Sequence, residues 1–348
     1  MAGKFWREAA SLMVVGRAAN LNSKVASRDF EVLLLKRSQK SSFFANSYVF
    51  PGGVTEPADF SESWMDVFEK CGYKSSNLET EFRSKSPLPP IFNKSYPILS
   101  EVGFRIGAIR EAFEECGLLL AQDFPFRDLS KHQLSEWQHA VHKDGSQFLK
   151  MFQELGGCPA IRSLYEWTTW LTPAHRLARR FDTAFFITFM DKIPPIIVDN
   201  KEIVDIKALT PQETLKQFGR QTLHLPPPQI YELGRLLNFD SYEDLEKFAR
   251  ERNKKGMEQL FPTVIMASDG VITTLPGDDL YPEEPDYNGE GEPIVTPETM
   301  EELRRQVKNL HRMEMKPGND VNIIINISPR YCHVAPNVNS MKLLKNKL

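Results

Sequence analysis

The 348-residue chain has no apolar run approaching the roughly 18 residues that a membrane-spanning helix needs. Its early apolar stretch, Ala9 to Val15, is short and interrupted by Ser11, too little for a secretory leader, and Ala2 stands where N-myristoylation requires Gly. A soluble chain is therefore expected. Cysteine is scarce and scattered: Cys71, Cys116, Cys158 and Cys332 form no CxxC pair. That argues against a disulfide framework or a zinc site and fits free thiols in a reducing compartment. Basic excess is also lacking, with 43 Lys and Arg against 46 Asp and Glu and a net charge of -3. No basic run offers a nucleic acid an electrostatic footprint. Internal repeats are absent, and strands do not alternate regularly with helices, so a doubly wound sheet is disfavoured. What remains is α+β, or a mixed-sheet sandwich.

Strands are expected at Ser11–Val15, Glu31–Leu35, Thr183–Phe189, Ile203–Leu209 and Val321–Ile327. Helical spacing covers Val102–Cys116, stopped by Gly117, and two segments within Ser130–Leu155. Further helices are expected from Thr210-Pro211, with Pro in the first turn, and over Pro228–Leu237 and Ser241–Arg252. Between Phe60 and Ser100 a short helical pattern gives way to a polar stretch and Pro87-Leu88-Pro89-Pro90, which reads as an excursion from the core. The acidic, Pro- and Gly-rich stretch Pro276–Pro297 reads as a solvated loop, and the residues after Ile327 as an irregular tail.

The informative segment is Arg110-Glu111-Ala112-Phe113-Glu114-Glu115-Cys116-Gly117-Leu118. At 100° per residue, Glu111, Glu114 and Glu115 share an arc of about 100°, while Ile106, Ile109, Phe113 and Cys116 gather on the opposite side. Like charges at i,i+3 and i,i+4 repel by a few tenths of a kcal/mol per pair. A hard cation reverses that sign, because carboxylate and diphosphate oxygens hold Mg²⁺ together. A solvated acidic helix face is the plain alternative; the fixed pattern Arg-Glu-x-x-Glu-Glu-x-Gly favours the cation.

These residues resemble the second half of the box of the Nudix hydrolase family: Gly, five residues, Glu, seven residues, then Arg-Glu-U-x-Glu-Glu-x-Gly-U, with U apolar. Gly53 begins the first half, Asp59 stands where the family usually has Glu, and 50 residues rather than seven follow before Arg110. Upstream, Leu33-Leu34-Leu35-Lys36-Arg37-Ser38, eleven residues and then Phe50-Pro51-Gly52-Gly53 are similar in spacing to the coenzyme A diphosphatase signature, with Leu35 for Thr, Ser42 for Arg and Asn46 for Gly. Trp167-Thr168-Thr169-Trp170-Leu171-Thr172-Pro173, Arg179-Arg180-Phe181-Asp182-Thr183, Leu225-Pro226-Pro227-Pro228-Gln229 and Leu275-Pro276-Gly277-Asp278 resemble the animal peroxisomal branch, which also carries a long insertion in its box.

The resemblance implies a Nudix fold, a mixed β-sandwich between helices. A hydrolase domain would span 1–240, with an insertion at 57–100, and an extension at 241–348 would pack on it. It further implies Mg²⁺ or Mn²⁺ held by Glu111, Glu114, Glu115 and a backbone carbonyl at Gly53, with Arg110 orienting Glu111 and with Glu111 and Glu115 serving the chemistry. Glu202, ahead of a late strand, would add a metal ligand or general base, or else be an exposed turn acid beside Lys201. Lys36 and Arg37 would meet substrate phosphate, the 3′-phosphate of coenzyme A being one handle, or else face solvent. Arg179 and Arg180 read as structural or surface groups, and His175 and His224 as structural ones. The implied reaction is hydrolysis of coenzyme A or acyl-coenzyme A to 3′,5′-ADP and (acyl-)4′-phosphopantetheine. Another nucleoside diphosphate derivative such as ADP-ribose, a non-catalytic Nudix-fold binding module and a scaffold built on the acidic loop are the alternatives. Neither nucleic acid nor a membrane span is expected. Asn346-Lys347-Leu348 is a variant of the Ser-Lys-Leu peroxisomal address, which implies an import receptor as partner.

Overall fold

The computed structural model describes all residues except 1–5, 19–27, 42, 85–86, 127–128, 175–178, 195, 197–201, 318–319 and 347–348. Its organising element is the first strand, Trp6–Arg17, in which every residue from Ala9 to Gly16 is buried. A strand this apolar on both faces belongs inside a sheet covered on both sides. It runs parallel to Arg180–Met190 from Trp6↔Arg180 to Gly16↔Met190, all but the last residue of the strand. One end pairs antiparallel with Phe30–Arg37, and Ala10 and Ser11 pair with Gly53 and Gly52. Outward on one side come Tyr165–Leu171 and then Gln259–Leu260; on the other, Phe30–Arg37 also pairs with Tyr48–Val49 and Ile203–Leu209.

Because side chains alternate along a strand, this mixed sheet divides two cores. Ala10, Leu12, Val14, Leu33, Leu35 and Phe186 face the helix Ser100–Cys116, behind which lie Lys131–Lys143 and Ser146–Leu155. Met13, Val15, Val32, Leu34, Phe185 and Ile187 face Pro211–Gly219, Pro227–Leu236 and Tyr242–Arg252. Thr210 caps the first of these by accepting the Glu213 N–H, with Pro211 in the first turn as expected.

A five-stranded sheet follows, in the order Ile294–Val295, Thr263–Ala267, Gly270–Thr274, His311–Lys316, Asp320–Ile325. Met313, Val321 and Ile323 on its inner face join the second core, while Ile265 and Ile272 on the outer face pack with Met300 and Leu303. Only its last strand was expected.

Three expectations need correction. The segment from Phe60 to Ile98 is no excursion: Trp64, Val67, Phe68, Tyr73, Phe82 and Phe92 are buried in the first core, and Trp64 meets the Phe148 and Phe152 rings at 5.9 Å. The stretch after Pro276 is partly tied down, since Asp278 forms a buried ion pair with Arg312, with Oδ2 2.7 Å from Nε. A helix, Val338–Asn346, stands where an irregular tail was expected.

Candidate functional site

Gly117, at φ 67°, ends the helix Ser100–Cys116 in the left-handed region that glycine tolerates. Arg110 is buried on this helix and uses its fork fully. Nε and Nη2 donate to Asp59 Oδ1 and Oδ2 at 2.8 and 3.0 Å, Nη2 also to the Val54 carbonyl at 2.8 Å. Nη1 donates to Glu111 Oε1 at 3.0 Å and Glu114 Oε1 at 2.5 Å. The insertion therefore leaves the two halves of the box joined: Asp59 from the first half meets Arg110 from the second.

Glu115 leans the other way and accepts the Gly52 N–H at 2.9 Å through Oε2. Its Oε1 is 3.8 Å from Arg37 Nη1. A Cβ at Gly53 would lie 2.4 Å from Glu111 Oε2, so any side chain there would displace this carboxylate. His142, at the end of Lys131–Lys143, brings Nδ1 to 3.9 Å from Glu114 Oε2. Glu202 lines the same cavity.

Charge is badly compensated here. Burial pushes the Glu111 carboxyl up to about 8 despite Arg110, with Glu114 adding to the rise. Burial likewise takes Glu114 to about 7, against Arg110, and Glu115 to about 8, with Glu111 reinforcing it. Arg110 is held charged, because Asp59 and Glu111 outweigh the cost of its own burial. Four carboxyl groups thus share two guanidinium groups, a donor set of hard oxygens that ionises fully only when a cation supplies the missing positive charge. Among the described residues, no three His, Cys, Asp or Glu side chains stand in ligand geometry. One oxygen each of Glu111 and Glu114 is turned to Arg110, and one of Glu115 to the Gly52 amide.

The glutamates open into a cavity of about 670 Å³. Arg37, Glu202 and His142 stand beside them, Arg7 and Arg179 also line the cavity, and Trp170, Phe181, Phe185, Pro227 and Pro228 make an apolar wall. Trp170 is fixed from behind, since its indole N–H and that of Trp167 donate to the two oxygens of buried Glu232 at 2.8 and 2.7 Å.

Of the basic pair on the second strand, only Arg37 reaches the cavity. Strand alternation sends Lys36 elsewhere, its ammonium 5.8 Å from the Tyr48 ring centroid. Arg180 donates to the Asn288 carbonyl at 3.0 Å and lies over Trp6. The His224 carbonyl accepts the Tyr48 N–H at 2.8 Å, a structural contact. Ser42, His175, Lys201, Lys347 and Leu348 lie outside the described residues. Sequence reasoning missed His142 and Trp170. The first carries no local signal of its partner; the second could have been flagged by two tryptophans on one short strand.

A family model described as the NUDT19 Nudix domain matches residues 6–236, insertion included. The chain belongs to the Nudix hydrolase family. A second model, the NUDT19 C-terminal domain, matches residues 264–326. Nudix hydrolases use divalent metal ions. The chain is similar to the acyl-coenzyme A diphosphatase NUDT19 of Xenopus laevis, 39% identical over 96% of either chain. The human protein of that name is 33% identical, covering 95% of this chain and 94% of its own length. Among solved structures, a NUDIX hydrolase from Alicyclobacillus acidocaldarius aligns at a TM-score of 0.53 with 20% identity, over 70% of this chain and 97% of that one. The α+β Nudix fold expected from the box is the fold found.

Proposed function

We propose that this Nudix hydrolase cleaves the diphosphate bond of coenzyme A or acyl-coenzyme A, releasing 3′,5′-ADP and (acyl-)4′-phosphopantetheine. The observation that carries this reading is a single cavity with buried carboxylates at one part and an uncharged wall of Trp, Phe and Pro at another. A polar diphosphate joined to a long, weakly polar arm matches that division. The names of the relatives point the same way.

Glu111, Glu114, Glu115 and the Gly53 carbonyl would hold Mg²⁺ or Mn²⁺; three buried carboxyl groups with too few cations beside them to stay ionised suit a hard dication. When bound, such an ion neutralises the diphosphate and lowers the pKa of an attacking water. The chain's own residues do the rest. Arg110, itself pinned by Asp59, fixes the rotamers of Glu111 and Glu114. Arg37, beside Glu115, offers its guanidinium to a phosphate oxygen. Glu202 is the acceptor we assign for the water's proton at its carboxylate, placed on the cavity and clear of the Arg110 network.

Incubation of the purified protein with coenzyme A, dephospho-coenzyme A and ADP-ribose in Mg²⁺, with products read by mass, tests the reading. 3′,5′-ADP should appear, with the highest kcat/KM on coenzyme A or its esters. A preference for ADP-ribose would overturn it. A peroxisomal destination is likewise a proposal, resting on the tripeptide Asn346-Lys347-Leu348; diffuse cytosolic fluorescence of a fusion that leaves this tripeptide free would refute it.

A further inference from the structure

The cavity runs sideways across the sheet, and strand register measures it. Val54 pairs with Ala9, Ala9 with Thr183 and Thr183 with Trp170; all four line the cavity. Paired strands lie about 4.8 Å apart, so the row spans roughly 14 Å. The glutamates stand at its Val54 end, because the guanidinium that holds Glu111 and Glu114 also donates to the Val54 carbonyl. At the other end Trp170 pairs with Leu260, and the chain passes directly into the C-terminal sheet. Val264, Thr273 and Met315 of that sheet close the cavity.

Alternation explains why these residues face inward. Val264 lies opposite Thr273, and Thr273 opposite Met313, on the face that packs on the hydrolase core; Ile265 and Ile272 point to the outer helix. Met313 is fully buried there. Val264 and Met315 are half-buried, and the surface they keep open fronts the cavity.

We propose that the C-terminal sheet, through Val264 and Met315, is the wall that receives the thioester and acyl end of the substrate and sets which acyl chains fit. This rests on the functional reading above. A diphosphate at the glutamates leaves two parts of the substrate to place, a charged nucleotide and an amide-linked arm. Trp170, Leu171, Pro262, Val264 and Met315 make a wall without formal charge that suits the arm, and Arg179, in the connection from Leu171 to Arg180, is the charged group that lines the cavity on this side. Roughly 14 Å is the reach of about four extended peptide units, a length that an arm with two amide bonds can cover. Methionine, unbranched and polarizable, is suited to alkyl groups of differing length.

The test measures kcat/KM for free, octanoyl and palmitoyl coenzyme A in the wild type, Val264→Asp and Met315→Ala, with urea unfolding as a check on folding. In Val264→Asp the octanoyl-to-free ratio should fall at least tenfold, because a carboxylate meets the alkyl chain. In Met315→Ala, which only removes volume, the palmitoyl-to-octanoyl ratio should rise at least threefold, and this variant decides alone if the first does not fold. Unchanged ratios in the folded variants, with wild-type activity present, overturn the wall assignment only. A wild type inactive on all three substrates overturns the functional reading and this proposal with it.

Discussion

Asp59 and Arg110 are 51 positions apart and meet as a two-point ion pair, both side chains about 1% exposed. Removing one partner of a buried pair strands the other charge, at about 3–5 kcal/mol. Arg110 keeps Glu111 and Glu114, so Asp59→Ala should sit near the lower end, about 3 kcal/mol by urea unfolding. Asp59→Glu, the usual residue of the family, should recover most of that loss. A change under about 1 kcal/mol for the alanine variant would mean the pair does not join the halves energetically.

Glu114→Gln and Glu115→Gln should separate activity from stability. Each removes one oxygen anion from the proposed metal set, and turnover should drop about a hundredfold or more. Burial already disfavours ionisation at both sites, so the neutral amide should leave the metal-free protein's Tm unchanged or higher at pH 8. Near-normal turnover in both variants would remove the cluster from the chemistry.

A third expectation concerns pH. Burial holds Glu111 and Glu115 near 8 and Glu114 near 7, above the ordinary 4.5, so the folded chain keeps protons that the unfolded chain releases. Stability from these raised carboxyls is fully present below about pH 4.5 and lost as pH rises through 7 to 8. Melting curves in EDTA should therefore decline from pH 5 to 8.5, and saturating Mg²⁺ should flatten the decline. A flat EDTA profile would show the three carboxyls already ionised in the folded protein.

Arg37 sits 3.8 Å from Glu115, within the carboxylate cluster. That position favours the diphosphate over the 3′-phosphate that sequence had offered as its handle. Arg37→Ala should cost about 1.5–3 kcal/mol in kcat/KM, roughly ten- to hundredfold, and equally on coenzyme A and dephospho-coenzyme A. A loss confined to coenzyme A would return Arg37 to the 3′-phosphate.

Trp64 tests the insertion. Its ring is buried against Phe148 and Phe152, and its indole N–H donates to the Ala58 carbonyl at 2.9 Å. Trp64→Ala should lose about 3–5 kcal/mol, the cost of a large core truncation. A loss below about 1 kcal/mol would restore the segment to the status of a surface loop.

What was legible followed from periodicity. The helix carrying Glu111 was visible because Ile106, Ile109 and Phe113 repeat at its period, and Ile203–Leu209 was bounded by Thr210-Pro211. Tyr165–Leu171 was not, since a register shift between Glu166 and Thr168 interrupts its alternation and lets Trp167 and Trp170, three apart, reach the same glutamate. The insertion hid its apolar residues at irregular spacing, as short helices and turns demand. The partnership of His142 with Glu114 comes from two helices packing, which no local pattern encodes. Alternation alone would have separated Lys36 from Arg37.

The parallel ladder from Trp6↔Arg180 to Gly16↔Met190 has a consequence during synthesis. At about 5–20 residues per second, the ribosome delivers Arg180 roughly ten to thirty-five seconds after Trp6. Throughout that interval one of the most water-averse segments of the chain lacks the neighbour that pairs with it from Trp6 to Gly16. Its stretch Ala9 to Val15 contains neither proline nor charge, so only the flanking Arg7, Glu8 and Arg17 discourage self-association. A holdase that covers this strand during that interval should therefore raise the yield of folded protein in a foreign host, and an unchanged yield on holdase co-expression would show that the strand needs no such cover.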